Sequence, residues 1–278
     1  MKTKVTISID EYLLLKIDNL VEKRYEKNRS QVIEKVLQEK FWEKIDMTAI
    51  IFAHDYKWNN RVYPFSVPKS LLKIKDKTII SRQVNMFIES GIKFIKIIIP
   101  KWDKKYFNKE LKWKYIDIDL EFIEIDKDIK TWWALKKAIK DNIVTKYITI
   151  SNWDNYAPKL DFRDYFDYHI EQKSDFSFCL KYILTNPEKL GNITINWNKI
   201  SEFVEKPLVK NSYKYLTNAW FYITSKKFLS SIKLWEYLEY DTFPHILDKW
   251  NIIWYIYSWE WEHIQEDEAY ERANGWQL

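Results

Sequence analysis

Glycine stands at only three positions of this chain, Gly91, Gly191 and Gly275, while tryptophan stands at fifteen. A globular chain averages about 7% glycine, because turns, helix ends and close backbone approaches need φ > 0 or a missing Cβ. For 278 residues that would be about twenty glycines, so the tryptophans nearly equal the shortfall. Where they fall decides what the scarcity means. No apolar run approaches the ~20 residues needed to span a bilayer, and the expectation is a soluble, untargeted, cytoplasmic chain. Its length suits one large domain with a small appendage. Cys179 is the single cysteine, which excludes a disulfide framework and a multi-cysteine zinc site. With 45 basic and 40 acidic residues, the charge is too balanced to mark a surface that coats nucleic acid.

At the N-terminus, Val5, Ile7 and Ile9 alternate with Lys4, Thr6 and Ser8, the pattern of a half-buried strand. Asp10 can cap a helix carrying Leu13, Ile17, Leu20 and Val21 up to Tyr25, and Ser30 a second helix carrying Val32, Ile33, Val36, Leu37 and Phe41. So small a unit cannot bury a core alone, and it is expected to dimerise or lean on something else. From Thr48 the pattern turns to strand-helix alternation. Buried strands are expected at 49–53, 94–99, 120–125 and 146–150, and helices at 81–90 and 134–142. That rhythm predicts an α/β domain with a mixed, mostly parallel Rossmann-like sheet over 47–278, joined to the N-terminal unit 1–46 by a charged stretch. Ligands are then expected at the carboxyl ends of the strands.

Lys2 to Phe41, with Lys-Asn-Arg-Ser-Gln at 27–31, resembles the ribbon-helix-helix family of DNA-binding proteins. The resemblance implies that Lys2, Lys4, Thr6 and Ser8 of a paired ribbon face DNA while Ser30 and nearby amides meet a phosphate. Residues 1–46 hold ten basic and nine acidic residues, which gives little electrostatic affinity. A dimerisation ribbon without DNA contact is the alternative.

Ala49-Ile-Ile-Phe-Ala53, Arg61-Val-Tyr-Pro-Phe-Ser-Val-Pro-Lys69, Glu89-Ser-Gly-Ile-Lys93, Asn152-Trp-Asp-Asn155, Glu202-Phe-Val-Glu-Lys-Pro207 and Asn218-Ala-Trp-Phe-Tyr222 follow one another in order. Together they resemble the sugar-1-phosphate nucleotidyltransferases over roughly residues 48–276. The resemblance implies that a nucleoside triphosphate and a sugar 1-phosphate give a nucleotide sugar and pyrophosphate. The chemistry is in-line attack on the α-phosphorus, which needs charge neutralised and two anions aligned. By the resemblance Arg61 and Lys69 bind phosphate, Asp154 binds Mg²⁺, Glu205 and Lys206 hold the sugar and its phosphate, and Asn218 makes another sugar contact. The nucleobase turn falls at Trp132-Trp133.

Many tryptophans stand where that family commonly has glycine. Trp153 precedes the metal-binding acid, Trp132 and Trp133 lie in the base-binding turn, and Trp220 lies in the sugar strand. Trp197 takes a two-residue hairpin position, Trp250 follows a helix expected to end at Lys249, and Trp254 and Trp259 again match family glycines. An indole there would fill the pocket and force left-handed backbone on a bulky residue. A genome in which UGA means glycine, read as if it meant tryptophan, accounts for this. The 39 lysines against 6 arginines suit low-GC coding. Trp261 is the best candidate for a genuine tryptophan, and Trp42 stays unassigned. Aromatic platforms for bases or sugars are the alternative.

Two departures remain. The family's Gly-x-Gly-Thr-Arg phosphate loop is here Ala53-His-Asp-Tyr-Lys-Trp-Asn-Asn-Arg61, with bulk at His54 and negative charge at Asp55. The second metal-binding Asp has His263 or Gln265 at its place, with Glu262, Glu266 and Asp267 the nearest carboxylates. The reading is therefore a Mg²⁺-dependent nucleotidyltransferase, dimeric through its N-terminal unit. Its alternative is a DNA-binding regulator whose transferase fold senses a sugar phosphate or nucleotide sugar.

Overall fold

The computed structural model describes residues 6–23, 28–41, 45–54, 61–62, 67–126, 129–140, 143–184, 186–208, 214–232, 237–264 and 267–275. The chain divides into two units, Met1–Lys44 and Ile45–Leu278. In the first, α1 (Glu11–Lys23) starts where Asp10 Oδ1 accepts the amides of Tyr12 at 3.0 Å and Leu13 at 3.3 Å, a side-chain cap as expected. The cap of α2 (Arg29–Phe41) is Asn28, whose Oδ1 accepts the Gln31 amide at 3.0 Å. Ser30, expected at that place, lies inside the first turn. Residues 6–10 form no strand, and 1–5 lie outside the described residues. A lone alternating segment has no ladder partner within one chain. Thr6 and Ser8 are exposed, Lys2 and Lys4 are not described, and Ile7, Leu13, Leu15, Val36 and Leu37 are left exposed.

The second unit begins with β1 (Met47–Phe52), followed by β2 (Arg61–Val62), β3 (Val67–Pro68), β4 (Lys73–Ile74), β5 (Lys77–Thr78), α3 (Ile79–Glu89) and β6 (Phe94–Pro100). Next come α4 (Lys104–Phe107), β7 (Asp119–Ile125), α5 (Thr131–Lys140), β8 (Tyr147–Asn152), β9 (Asn155–Tyr156), α6 (Phe162–Glu171) and β10 (Phe176–Tyr182). The chain continues through β11 (Gly191–Asn196), β12 (Lys199–Glu205), β13 (Leu216–Ser225), α7 (Lys226–Ser231), α8 (Phe243–Ile246), β14 (Ile252–Tyr257), β15 (Glu262–His263) and α9 (Asp267–Gly275).

Nine strands form one sheet in the order β10-β14-β12-β11-β13-β8-β1-β6-β7. It is an α/β fold with a mixed sheet. Parallel pairing runs through β8, β1, β6 and β7 and recurs between β10 and β14, whereas β13 meets β8 antiparallel. Strand β1 is buried throughout, as a continuous apolar run at the centre of a covered sheet must be. Two apolar clusters pack on its opposite faces, one with Ile51, Ile97 and Phe87, the other with Ile50, Ile98 and Leu135. Trp250 lies beyond α8, which ends at Ile246 rather than Lys249. No helix among the described residues is long and apolar enough to cross a membrane.

The helix α6 is fixed to this sheet by a polar contact inside the core. The buried Tyr165 hydroxyl lies 2.7 Å from the Ser177 carbonyl and 3.1 Å from that of Phe221, joining β10 and β13. Tyr165→Phe leaves both carbonyls without that hydroxyl, and the expected loss is about 1–3 kcal/mol. Urea unfolding should show a lower midpoint at unchanged slope.

Candidate functional site

Strands β1 and β8 run parallel, and their register ends with Phe52 beside Asn152, so both chains leave the sheet at the same edge. The Trp153 amide extends the pairing by donating to the Phe52 carbonyl at 2.9 Å. Gln83 of α3 then fixes the turn. Its Nε2 donates to the carbonyls of Asn152 at 2.7 Å and Asn155 at 2.9 Å, bracketing Asp154. From the other side Ile264 donates its amide to the Asp154 carbonyl at 2.6 Å, and β15 pairs with β9 so that His263 stands opposite Asn155.

Asp154 is 2% exposed. Its Oδ1 accepts from Asn155 Nδ2 at 2.7 Å, and its Oδ2 lies 3.2 Å from His263 Nε2. The tail thus delivers an imidazole to the strand-end carboxylate. Of the residues expected there, His263 makes this contact; Gln265 and Glu266 lie outside the described residues. Glu262 is engaged by Arg272, with Nε 2.6 Å from Oε1. Asp267 opens α9. Trp261 stacks on His263 with the rings parallel at 4° and 6.4 Å between centroids. Among the described residues no three His, Cys, Asp or Glu side chains gather as a metal cage. One carboxylate at a strand end fits a magnesium ion that keeps waters and substrate phosphate oxygens as its other ligands; it does not fit a resident, fully protein-bound metal.

The expected phosphate ligands approach through short pairings. Arg61 in β2 stands opposite Pro68 in β3, next to Lys69, which opens the 3₁₀ turn Lys69–Leu71 and is half-buried. The Arg61 side chain, and the loop carrying Asp55 and Trp58, lie outside the described residues. His54 is half-buried, its ring 5.4 Å from that of Phe52.

The residues expected to hold the sugar line up across β12, β11 and β13. Glu205 pairs with Gly191, and Asn192 pairs with Thr217, so the same register continued places Gly191 opposite Asn218. A Cβ at Gly191 would lie 2.6 Å from Glu205 Oε2 and 2.8 Å from Phe203 Cζ. The glycine is therefore what lets the Glu205 carboxylate lie across its neighbouring strand. Burial raises the Glu205 carboxyl above its ordinary value, against the opposing pull of Lys206 and His263. Lys206 follows in left-handed backbone at φ 47, which re-aims the chain. Asn218 is buried; its Nδ2 donates to the Tyr222 hydroxyl and its Oδ1 accepts the Trp220 amide at 3.0 Å.

Trp132 and Trp133 fall in the first turn of α5, Trp132 half-buried and Trp133 exposed beneath Lys136 Nζ at 5.1 Å. Of the tryptophans expected to be left-handed, two are: Trp197 at φ 55 and Trp220 at φ 59. The expectation fails for Trp132 and Trp133, which are helical, and for Trp254, which is in β14. Trp153, Trp250 and Trp259 also lie outside the positive-φ set.

One acid was not foreseen. Glu239, in the π-helical turn Leu238–Thr242, is 5% exposed, and its buried Oε1 has no hydrogen-bond partner among the described residues. Burial pushes its carboxyl up to about 8, with Glu205 adding to the rise and Lys206 opposing it. Nothing in the sequence around it signals burial; only the packing of the turn does. Since the folded form holds a proton that an unfolded glutamate releases near its ordinary 4.5, stability should fall as pH rises from about 4.5 to 8 and then level off. Thermal melts of Glu239→Gln across that window should lose this component of the slope. Gly191→Ala should displace Glu205 and cost about 1–3 kcal/mol by overpacking, measured by denaturant unfolding.

The family description "Nucleotidyl transferase" matches residues 59–251. No curated protein sequence matches the chain. Among solved structures, a Bacillus anthracis protein assigned as a glucose-1-phosphate thymidylyltransferase, in complex with sucrose, is similar at 21% identity and TM-score 0.68, covering 82% of this chain and 94% of that one. HddC from Yersinia pseudotuberculosis, complexed with GMP-PN, is similar at 19% identity and TM-score 0.66, covering 82% and 97%. A UDP-glucose pyrophosphorylase complexed with UDP-glucose is similar at 17% identity and TM-score 0.67, with the same coverage. These likenesses establish the α/β fold that the strand-helix rhythm predicted.

Proposed function

The chain belongs to the nucleotidyl transferase family, and we propose that it joins a nucleoside triphosphate to a sugar 1-phosphate, giving a nucleotide sugar and releasing pyrophosphate. The observation that carries this reading is the placement of Asp154, the Glu205-Gly191-Asn218 row and the α5 N-terminus around strand ends of one sheet, where α/β folds bind ligands. In it an oxygen of the sugar 1-phosphate attacks the α-phosphorus in line, the bond to the β-phosphate oxygen breaks, and pyrophosphate leaves. Arg61, a fork donor, and Lys69, a point charge, neutralise the leaving group. Asp154 would hold a divalent cation, which supplies charge neutralisation and alignment of the two anions. Glu205 orients sugar hydroxyls, Lys206 the sugar phosphate, and Asn218 makes a further sugar contact. Trp132 and Trp133 mark the base-binding turn.

We further propose that tryptophan replaces glycine through decoding of UGA. Support comes from Trp197 and Trp220. Trp197 is the first central residue of the two-residue hairpin between β11 and β12, left-handed there while Asn198 is not, the φ sign pattern of a type II′ turn that favours glycine at that position. Trp220 lies in a β-bulge where Ala219 to Phe221 oppose Cys179 alone, and left-handed bulge residues are ordinarily glycine. Its indole packs 5.6 Å from the Tyr222 ring, on the sheet face that carries Asn218. Trp197→Gly, at an exposed indole, should raise stability by about 1 kcal/mol by relieving left-handed strain. Intact mass of the natural protein should fall by about 129 Da per site; UGG codons at these positions would sink the idea.

The N-terminal unit, on this proposal, pairs two chains through the apolar residues Ile7, Leu13, Leu15, Val36 and Leu37, with Thr6, Ser8 and Ser30 available to DNA alongside Lys2 and Lys4. Sedimentation of Leu13→Glu should show loss of the dimer. The contact between His263 and Asp154 favours a second reading, a regulator that binds nucleotide sugar without turning it over. Pyrophosphate release from a triphosphate and a panel of sugar 1-phosphates separates the two. Turnover reduced at least about 100-fold in Asp154→Ala supports the enzyme, while nucleotide-sugar binding without turnover, with salt-dependent DNA binding, supports the regulator.

A further inference from the structure

The tail sets a nitrogen donor against the carboxylate at the strand end. Asp154 Oδ1 is taken by Asn155 Nδ2 at 2.7 Å, which leaves Oδ2 facing His263, whose Nε2 lies 3.2 Å away. Two ligands of one ion, each about 2.1 Å from it, stand about 3.0 Å apart in an octahedral site and about 3.4 Å apart in a tetrahedral one. The observed separation falls between these values, so a single ion can bridge this oxygen and this nitrogen with little movement of either side chain.

The imidazole is held in that position. His263 stands opposite Asn155 in the β15–β9 pair, the next residue, Ile264, donates its amide to the Asp154 carbonyl at 2.6 Å, and the Trp261 ring lies parallel to the imidazole within 4°. The Asp154 side chain is 3% exposed and that of His263 20%, so an ion reaches the pair from the imidazole side. Among the described residues no third His, Cys, Asp or Glu joins them, and the remaining positions fall to water and phosphate oxygens. Magnesium demands a near-ideal octahedron of oxygens and keeps its waters; here the ring nitrogen stands where one of those waters would bind. An imidazole nitrogen instead suits the first-row transition ions, whose affinity for such donors rises from Mn²⁺ through Co²⁺.

We propose that His263 ligates the cation together with Asp154 and that its nitrogen makes a divalent first-row transition ion, Mn²⁺ or Co²⁺, rather than magnesium the preferred occupant. The part this ion plays toward the phosphates rests on the nucleotidyltransferase reading of the site; its binding does not.

The test uses the full chain and the metals alone. Calorimetric titration of wild type should show Co²⁺ and Mn²⁺ binding tighter than Mg²⁺, and His263→Asp, which restores an oxygen donor, should lower the Co²⁺-to-Mg²⁺ affinity ratio at least about tenfold. Electron spin-echo spectra of the Mn²⁺-loaded protein, alone and with pyrophosphate, which brings no nitrogen of its own, should show the nitrogen coupling of a directly bound imidazole in wild type and lose it in His263→Asp. Spectra of wild type without nitrogen coupling, a coupling that survives in His263→Asp, or an unchanged affinity ratio would make the contact a plain hydrogen bond and overturn the proposal. Should His263→Asp fail to fold, the wild-type spectrum decides by itself. If the nitrogen coupling is present but wild type binds no nucleoside triphosphate with any of the three metals, the ion site stands and the transferase reading fails instead.

Discussion

Gln83 holds the Asp154 turn by pairing a helix side chain with the backbone at a strand end. Its amide serves two carbonyls on either side of Asp154, and the tail closes the same turn through the Ile264 amide. Buried backbone carbonyls need partners, so this turn can take one shape only while α3, β8 and the tail are all in place. The Asp154 side chain, 2% exposed, depends on that shape. So does the meeting of Asp154 with His263, two residues far apart in the chain.

A second constraint is the close approach of β11 to Glu205. Gly191 gives the carboxylate room to lie across the strand, toward the register position of Asn218. Glycine is scarce here, and the one at this position is written as glycine. The opposite situation holds at Trp220, where left-handed backbone inside a bulge carries an indole. The backbone path there follows from the strands on either side, β8 and β10, which hold β13 by hydrogen bonds regardless of the side chain at the bulge.

Much of the α/β unit was legible in the sequence. The runs 49–53, 94–99, 120–125 and 146–150 are dense in β-branched residues, and such runs become covered strands wherever they can pair. Asp10 as a helix cap was equally legible, because a cap is made by residues adjacent in sequence. Ser30 does not cap α2 for a local reason: Asn28, two residues earlier, offers an equally good acceptor and takes the role. The strand expected at 2–9 differs in kind, since alternation marks one face but supplies no ladder partner, and residues 6–10 pair with no strand of their own chain. The left-handed backbone expected under eight tryptophans holds at two. Helix α5 and strand β14 impose ordinary dihedrals on any residue within them, whatever family position it matches.

The sequence by itself determined the order of the strands and helices, the apolar faces that must be covered, and the motif resemblance by which Asp154, Glu205, Lys206 and Asn218 become candidates. Those follow from period, capping and pattern, which are properties of neighbouring residues. Tertiary structure decided that the sheet turns antiparallel after β8, that His263 meets Asp154, and that Glu239 is buried with no hydrogen-bond partner for Oε1 among the described residues. Each of these depends on segments distant in sequence arriving at the same place, and on the desolvation that follows from it; no local pattern encodes that arrival.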